Sequence, residues 1–501
     1  MKRPRPALAL LWTLTALLMS FGAWSAVRAD PASAEVGAAV TGSVVAAPAS
    51  QVAANVSVPR GSLGTPLVDR LRSLLGLMAL TALAWGLSVD RTRRIPWRVV
   101  GWGLGLQLLF ALFILKTPVG AQVFDTANTV VVALLGFTVD GARFVFGNLV
   151  DNNIPLGSGD PGNGPFVAAS GQVANTGSYF AFTVLPTIIF FSSLMTVLYH
   201  LGIMQKAVKG VAWVMQRTMG TSGAETLSAA GNIFVGQTEA PLLIKPFVER
   251  MTTSELMAVM TAGFATVAGG VMAAYVGMLL LYFPDIAGHL MAASVMSAPA
   301  ALVVAKLMVP ETETPVTANS LEVSVDRPDV NVIDAAARGA SEGLYLALNV
   351  GAMLLAFVAL IYLFNGFVGW VGGLAGFQGL TLEMILGWLL APLAWLMGVS
   401  WADAPTVASL LGIKTVLNEF FAYIQLAGIL GGENSLEPRS VVIVTYALCG
   451  FANFSSIAIQ LGGIGGIAPS RRHDLSRLGL RAMIGGTIAA FMTATVAGMI
   501  L

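Results

Sequence analysis

Two glutamates stand where an apolar chain would not ordinarily place them. Glu239 lies in the run Gly231-Asn232-Ile233-Phe234-Val235-Gly236-Gln237-Thr238-Glu239-Ala240-Pro241, and Glu419 lies in Leu417-Asn418-Glu419-Phe420-Phe421. Apolar stretches flank both runs. Carboxylates only accept hydrogen bonds when ionised, whereas the neighbouring Gln, Thr and Asn both donate and accept. Such a set can hold a neutral polar solute, contribute oxygens to a cation, or carry a proton. The two glutamates could also serve as a general acid and base. In a membrane, however, ionisable groups mark ion and substrate paths by default. The plain structural alternative is that each carboxylate locks two helices together by hydrogen bonds.

Short broken helices must present these residues. Asn418 and Thr238 are good N-capping residues, and Pro241 is tolerated only in a helix's first turn. Each glutamate then falls at the start of a half-helix, where the positive end of the dipole favours a carboxylate. Non-helical backbone at membrane depth persists only if buried in protein or lining a cavity, so Ala224–Arg250 and Thr381–Gly432 are expected to be re-entrant hairpins that do not cross. A span with a polar interruption follows each tip, at Gly263-Phe264-Ala265-Thr266-Val267-Ala268-Gly269-Gly270 and at Gly450-Phe451-Ala452-Asn453-Phe454-Ser455-Ser456. Paired broken helices in corresponding halves point to a midplane transport site built from inverted repeats. Gly101 and Gly105, by contrast, read as helix packing alone.

The whole composition places these elements in lipid. The chain is 56% hydrophobic and 11% charged, with a mean hydropathy of +0.78, against about 25% charged residues in soluble domains. A net charge of +1 gives no reason to expect a nucleic-acid partner. The single Cys449 excludes an intrachain disulfide framework, and His200, His289 and His473 lie far apart without ligand spacing. The expected fold is an all-α polytopic membrane protein with about eight transmembrane helices. The expected spans are Leu74–Val89, Trp97–Leu115, Tyr179–Leu201, Ser254–Phe283, Ile286–Met308, Gly343–Phe364, Val441–Gly466 and Ala482–Leu501. Thr117–Val150 reads as an interfacial amphipathic helix, and Asp151–Gly164 as a Gly/Asn/Pro-rich loop. Basic breaks at Arg91, Arg93 and Arg94, at Lys206, Lys209 and Arg217, and at Arg471, Arg472, Arg477 and Arg481 mark the cytoplasmic side. Residues 1–29 have the layout of a secretory signal peptide, with an uncleaved anchor as the alternative. Residues 30–64 read as a flexible periplasmic linker.

Gly231 to Phe247 resembles the first hairpin of the concentrative nucleoside transporter family. Asn418-Glu419-Phe420 and Gly450 to Ile457 resemble its second hairpin and the broken helix beyond. Glu342-Gly343 with Asn349-Val350 is similar to its linking span, and the likeness runs from about Leu74 to Leu501. The resemblance implies a homotrimer in the inner membrane, each protomer joining a scaffold to a mobile transport domain. The corresponding division is 65–205 and 341–380 for the scaffold, 206–308 and 381–501 for the transport repeats, and 309–340 for a cytoplasmic linker. It also implies that Gln237, Thr238 and Glu239 meet a nucleobase with Val271 nearby. Glu419, Asn453 and Ser456 would then hold the ribose hydroxyls, and Phe451 would contact the bound nucleoside. Asn232, Thr266 and the carbonyls of Val235 and Val267 would make a sodium site. The residue chemistry agrees, because amide and hydroxyl groups match a base edge and a carboxylate with Asn and Ser matches vicinal hydroxyls.

Other classes remain open on the residues. A passive channel would need no hairpins closing on both sides. The absence of any Gly-Lys pair argues against a phosphate-binding loop and an ATP-driven pump. Na⁺ is the expected coupling ion, with H⁺ as the alternative through Glu239 or Glu419.

Overall fold

A computed structural model describes residues 65–151, 153–158, 167–175, 180–318, 329–374, 376–377, 379–432 and 436–501. The expected signal peptide and linker, 1–29 and 30–64, lie outside the described residues. Among the described residues the fold is helical apart from one two-stranded antiparallel hairpin. Seven helical segments among the described residues are long and apolar enough to cross a membrane.

The chain begins with α1 (Leu67–Gly86), α2 (Trp97–Lys116) and α3 (Pro118–Phe146). α3 starts with Pro118 in its first turn and with Thr117 accepting a hydrogen bond from the Gly120 amide. It runs on through a 3-10 turn to Val150, and the whole of Pro118–Val150 is long and apolar enough to cross. These are the residues expected to form an interfacial helix, and Asn128 among them donates to the Pro284 carbonyl at 3.1 Å while Phe146 meets Phe182 at the start of the next helical segment. Asp125, Asp140 and Arg143 fall on one side of the helix. The expected loop beyond it is also partly ordered, because β1 (Asn153–Ser158) pairs with β2 (Val167–Asn175).

α4 (Leu185–His200) and α5 (Ile203–Met219) follow. On α5, Met204, Val208, Ala212, Met215 and Met219 are buried at helical spacing, while Lys206, Lys209 and Arg217 are exposed, an amphipathic pattern. The order then repeats. A hairpin is formed by α6 (Gly223–Gly231) and a 3-10 segment, Ala240–Ile244. A broken helix follows as α7 (Thr253–Ala265) and α8 (Gly269–Leu279), then the continuous α9 (Ile286–Met308), which carries Pro299 within it. After the long α10 (Val332–Leu374), α11 (Leu382–Met397) leads into a second hairpin of α12 (Ala404–Val416) and α13 (Glu419–Leu430). The second broken helix is α14 (Pro438–Leu448) with α15 (Phe454–Ile467), and α16 (Arg472–Ile500) closes the chain.

The two repeats run in opposite directions. Arg471, just past the end of α15, donates to the carbonyls of Glu249 and Met251, just before the start of α7. The end of one broken helix therefore meets the beginning of the other. The core lies among these elements: α7, α9, α14 and the part of α16 from Ala482 onward are mostly buried, whereas α10 is largely exposed. Both breaks need close backbone approach. Gly450 has φ +137°, and a Cβ there would lie 2.8 Å from the Phe264 carbonyl oxygen, so the second break is seated on the helix that leads into the first.

Candidate functional site

Each break and each hairpin tip is made by capping rather than by disorder. Asn418 caps α13, its Oδ1 accepting from the Phe421 amide at 2.9 Å, as expected from sequence. Asn453 caps α15, its Oδ1 accepting from the Ser456 amide at 2.9 Å and the Ser455 hydroxyl at 2.7 Å. These bonds fix the Asn453 amide so that its Nδ2 donates to Glu419 Oε2 at 2.9 Å. Tyr275 on α8 donates its hydroxyl to the other carboxylate oxygen at 2.8 Å. Glu419, Asn453 and Ser456 are all at most 4% exposed. The second tip and second break thus form one cluster, and Val271 is buried one turn before Tyr275 on the same side of α8. Phe451 is half-buried within the break.

The first tip differs from expectation in one respect. Thr238 does not cap a second α-helix: Glu239 occupies the N-cap position of a 3-10 segment that has no side-chain cap. Pro241 near its start supplies no N–H to cap. Glu239 is exposed, its carboxylate lying over Gly236. Gln237 is buried and accepts at Oε1 from Gln460 Nε2 at 3.0 Å. Thr238 lies against α15, where a Cβ on Gly463 would meet its methyl at 2.8 Å. Asn453 and Gln460 are two turns apart on α15. The two polar clusters therefore lie about 10 Å apart along one side of that helix.

The first tip is also tied to the first break. The Gly269 amide donates to the Phe234 carbonyl at 3.1 Å, and Ser294 donates to the Ile233 carbonyl at 3.0 Å. This brings the Asn232–Val235 segment beside Thr266 and Val267. Asn232, Thr266 and Val267 are at most 1% exposed, and Val235 is half-buried. Asn232 donates its amide hydrogen to Ser228, at 3.0 Å, and Thr266 its hydroxyl hydrogen to Ala262, at 2.8 Å. Asn232 Oδ1 is left buried with no hydrogen-bond partner. A buried acceptor without a donor is costly, and its chemistry fits a small cation.

Three further residues belong to this region and were not singled out from sequence. Tyr275 and Gln460 are described above. Lys414, fully buried on α12, donates to the Ala447 carbonyl at 2.7 Å and interacts electrostatically with Glu419. Gln460 and Lys414 did carry a signal, an amide and a charge within helices whose other residues are apolar or small hydroxyls; Tyr275 carried none. A cavity of about 550 Å³ lies elsewhere, lined by Arg93, Arg94, Ser222, Glu225 and Lys306.

Family models match nearly the whole described chain. Residues 75–149 match the N-terminus, and residues 289–498 the C-terminus, of the Na⁺-dependent nucleoside transporter family. Residues 181–281 match a nucleoside-recognition gate model. A Haemophilus influenzae uncharacterized transporter is 45% identical over 86% of this chain and 97% of its own length. The chain belongs to the concentrative nucleoside transporter family. Solute carrier family 28 member 3 of Mus musculus is 42% identical, and the match spans 86% of this transporter but 59% of that longer protein. Among solved structures, CNTnw in an inward-facing substrate-bound state is 43% identical, with a TM-score of 0.77 over 87% of this chain and 98% of that one. A CNTnw variant in an outward-facing state matches with a TM-score of 0.78, over 87% and 98% of the two chains. The family is one of multi-pass membrane transporters for nucleosides and not of enzymes.

Proposed function

We infer that this transporter imports nucleosides across the inner membrane by coupling them to Na⁺ in an alternating-access cycle. The observation that carries this reading is the seam between the first tip and the first break. There, Asn232 Oδ1 is an unpartnered buried acceptor and Thr266 has already donated its hydrogen. Asn232, Thr266 and the carbonyls of Val235 and Val267 would hold the ion, whose charge supplies the inward driving force. The same tip carries Gln237, Thr238 and Glu239 for the base, with Val271 beside it. The second tip and break carry Glu419, Asn453, Ser456 and Phe451 for the sugar. Filling the ion site would draw the first tip onto its break and complete the base end of the cradle.

Packing suggests which parts move. Gln107 of α2 donates to Met296 of α9 at 3.2 Å and to Thr493 of α16 at 3.1 Å, both buried. Arg70 and Ser73 of α1 donate to the carbonyls of Leu501 and Met397. In this proposal α1 and α2 travel with the repeats 206–308 and 381–501, and α4 packed on α10 forms the frame. This narrows the scaffold from the 65–205 and 341–380 read in the sequence. A homotrimer rests on the family resemblance.

One Na⁺ suffices energetically. A potential of about 100 mV contributes about 2.3 kcal/mol per charge, and a tenfold gradient about 1.4 kcal/mol. Together these support roughly several hundredfold accumulation of a neutral solute. Glu239, an ionisable group at the first tip, carries a second reading, in which it binds a proton in place of the cation. Uptake into proteoliposomes at fixed pH, with Na⁺ replaced by choline, separates the two. Transport should fall to background in choline, and Asn232→Ala should weaken Na⁺ activation. Undiminished transport in choline that collapses with the proton gradient would establish the proton reading.

A further inference from the structure

We propose that Gln460 is a specificity-positioning residue: it locks the Gln237 side chain so that its amide N–H groups, not its carbonyl oxygen, face the nucleobase. The inference rests on the substrate site described above and deepens it.

Gln460 is fully buried on α15, in the otherwise apolar stretch Ile457–Ile467. Its Nε2 makes two hydrogen bonds, to the Met260 carbonyl at 3.1 Å and to Gln237 Oε1 at 3.0 Å. The first bond decides the orientation of the Gln460 amide. A main-chain carbonyl only accepts, so the atom facing Met260 must be the nitrogen. That nitrogen then meets Gln237, which must answer with its own oxygen. The Gln237 amide nitrogen is thereby turned away from Gln460. Gln460 Oε1 has no partner, a cost that a merely structural amide would not need to bear.

Gly263 keeps the pair in place. A Cβ there would lie 2.7 Å from Gln460 Nε2 and 3.0 Å from the Gln237 Cβ, so the absence of a side chain on α7 is what lets the two glutamines meet. Three elements therefore fix one rotamer: the α7 backbone, α15 and the first hairpin tip. A tip glutamine that presents only N–H donors selects bases offering a carbonyl oxygen at that edge and disfavours those offering an exocyclic amine. A buried donor without an acceptor rejects the wrong base by leaving its hydrogen bond unmade. The class favoured is oxo-bases, uracil over cytosine and hypoxanthine over adenine.

The test uses the full-length transporter in proteoliposomes at saturating Na⁺, measuring KM and kcat for uridine, cytidine, inosine, adenosine and 2′-deoxyuridine. Wild type should favour uridine over cytidine and inosine over adenosine in kcat/KM. Gln460→Met, which fills similar space without the amide, should lower both ratios by about fivefold or more, the order of one neutral hydrogen bond. Gln460→Glu places an acceptor against Gln237 and should flip its amide, carrying the preference toward cytidine and adenosine. The uridine to 2′-deoxyuridine ratio should stay constant throughout, because Glu419 and Asn453 read the sugar. Oxo-to-amino ratios that do not move in either variant would overturn the proposal. So would base and sugar ratios falling together, the mark of a general packing defect. If a variant fails to fold, Gly263→Ala, which separates the pair from the other side, is held to the same criterion. Loss of all nucleoside transport in wild type would instead refute the underlying function.

Discussion

At the residue scale, the proposed substrate cradle depends on a carboxylate whose two oxygens are taken by different helices. Asn453 supplies one bond from the second break and Tyr275 the other from the half-helix after the first. A bond to a carboxylate contributes about 1.5–3 kcal/mol, here to holding Glu419 in place. Tyr275→Phe should therefore weaken riboside binding by at most roughly a hundredfold while leaving the fold intact. Glu419→Ala should abolish uptake, and any residual transport should discriminate less between ribosides and 2′-deoxyribosides. Binding titrations of purified protein with both substrate types measure this. Riboside affinity unchanged in Tyr275→Phe would show that the hydroxyl does not hold the carboxylate for substrate. Asn418 and Glu419 were legible in the sequence because capping has a local grammar: an Asn, then a first turn, within an apolar run; Asn453 and Ser456 were legible as a polar interruption of a span, and their roles came from the family resemblance. Tyr275 was not legible. It is one aromatic among many on an apolar helix, and only the folding of α8 against the second hairpin gives it a partner.

Elements are joined at their ends by charge. Ser222 and Glu225 form a capping box at the start of α6, and Thr252 and Glu255 form another at the start of α7. The two are tied by Ser222 donating to Glu255 at 2.5 Å. Lys306, in the last turn of α9, then pairs with Glu225 at 2.7 Å and Glu311 at 3.1 Å, with the first two side chains at most 7% exposed. Removing one partner of such a buried pair strands the other and costs about 3–5 kcal/mol. Lys306→Met should accordingly lower the thermal midpoint and the yield of monodisperse protein, and adding Glu225→Gln should recover much of the loss. Thermal unfolding followed by tryptophan fluorescence reads both. A Lys306→Met protein as stable as wild type would mean that the cluster does not fasten the first hairpin. The capping boxes are visible in sequence as Ser/Thr-x-x-Glu, but their coupling is tertiary. The same distinction explains the misreadings. The β1–β2 pairing depends on a partner strand rather than on the composition of either segment. The 3-10 limb after Glu239 shows that a Pro-containing start can suit a tighter helix as well as an α-helix.

Across the whole molecule, the basic breaks converge on one end. Arg98 donates to the carbonyls of Arg217 and Thr218, Arg471 donates to those of Glu249 and Met251, and Arg93 and Arg94 line a cavity with Gly220, Ser222 and Pro310. Segments distant in sequence thus place their positive charge together, as a single cytoplasmic face requires. At the opposite end Asn128 donates to the Pro284 carbonyl, in the break between α8 and α9 that carries neither Lys nor Arg. Arg70, at the start of α1, meets Leu501 at the chain's C-terminus. α1 therefore starts at this outer end and descends to the basic break at Asp90–Arg94. Cys449 is the chain's single cysteine and is fully buried, so engineered cysteines report sidedness with little background. Leu281→Cys, at an exposed position near the outer end, should react with a membrane-impermeant maleimide added to intact cells. Lys209→Cys, exposed on α5, should react only after permeabilisation. The reverse pattern would invert the topology, and with it the direction in which the membrane potential would drive a cation at the site proposed on Asn232 and Thr266.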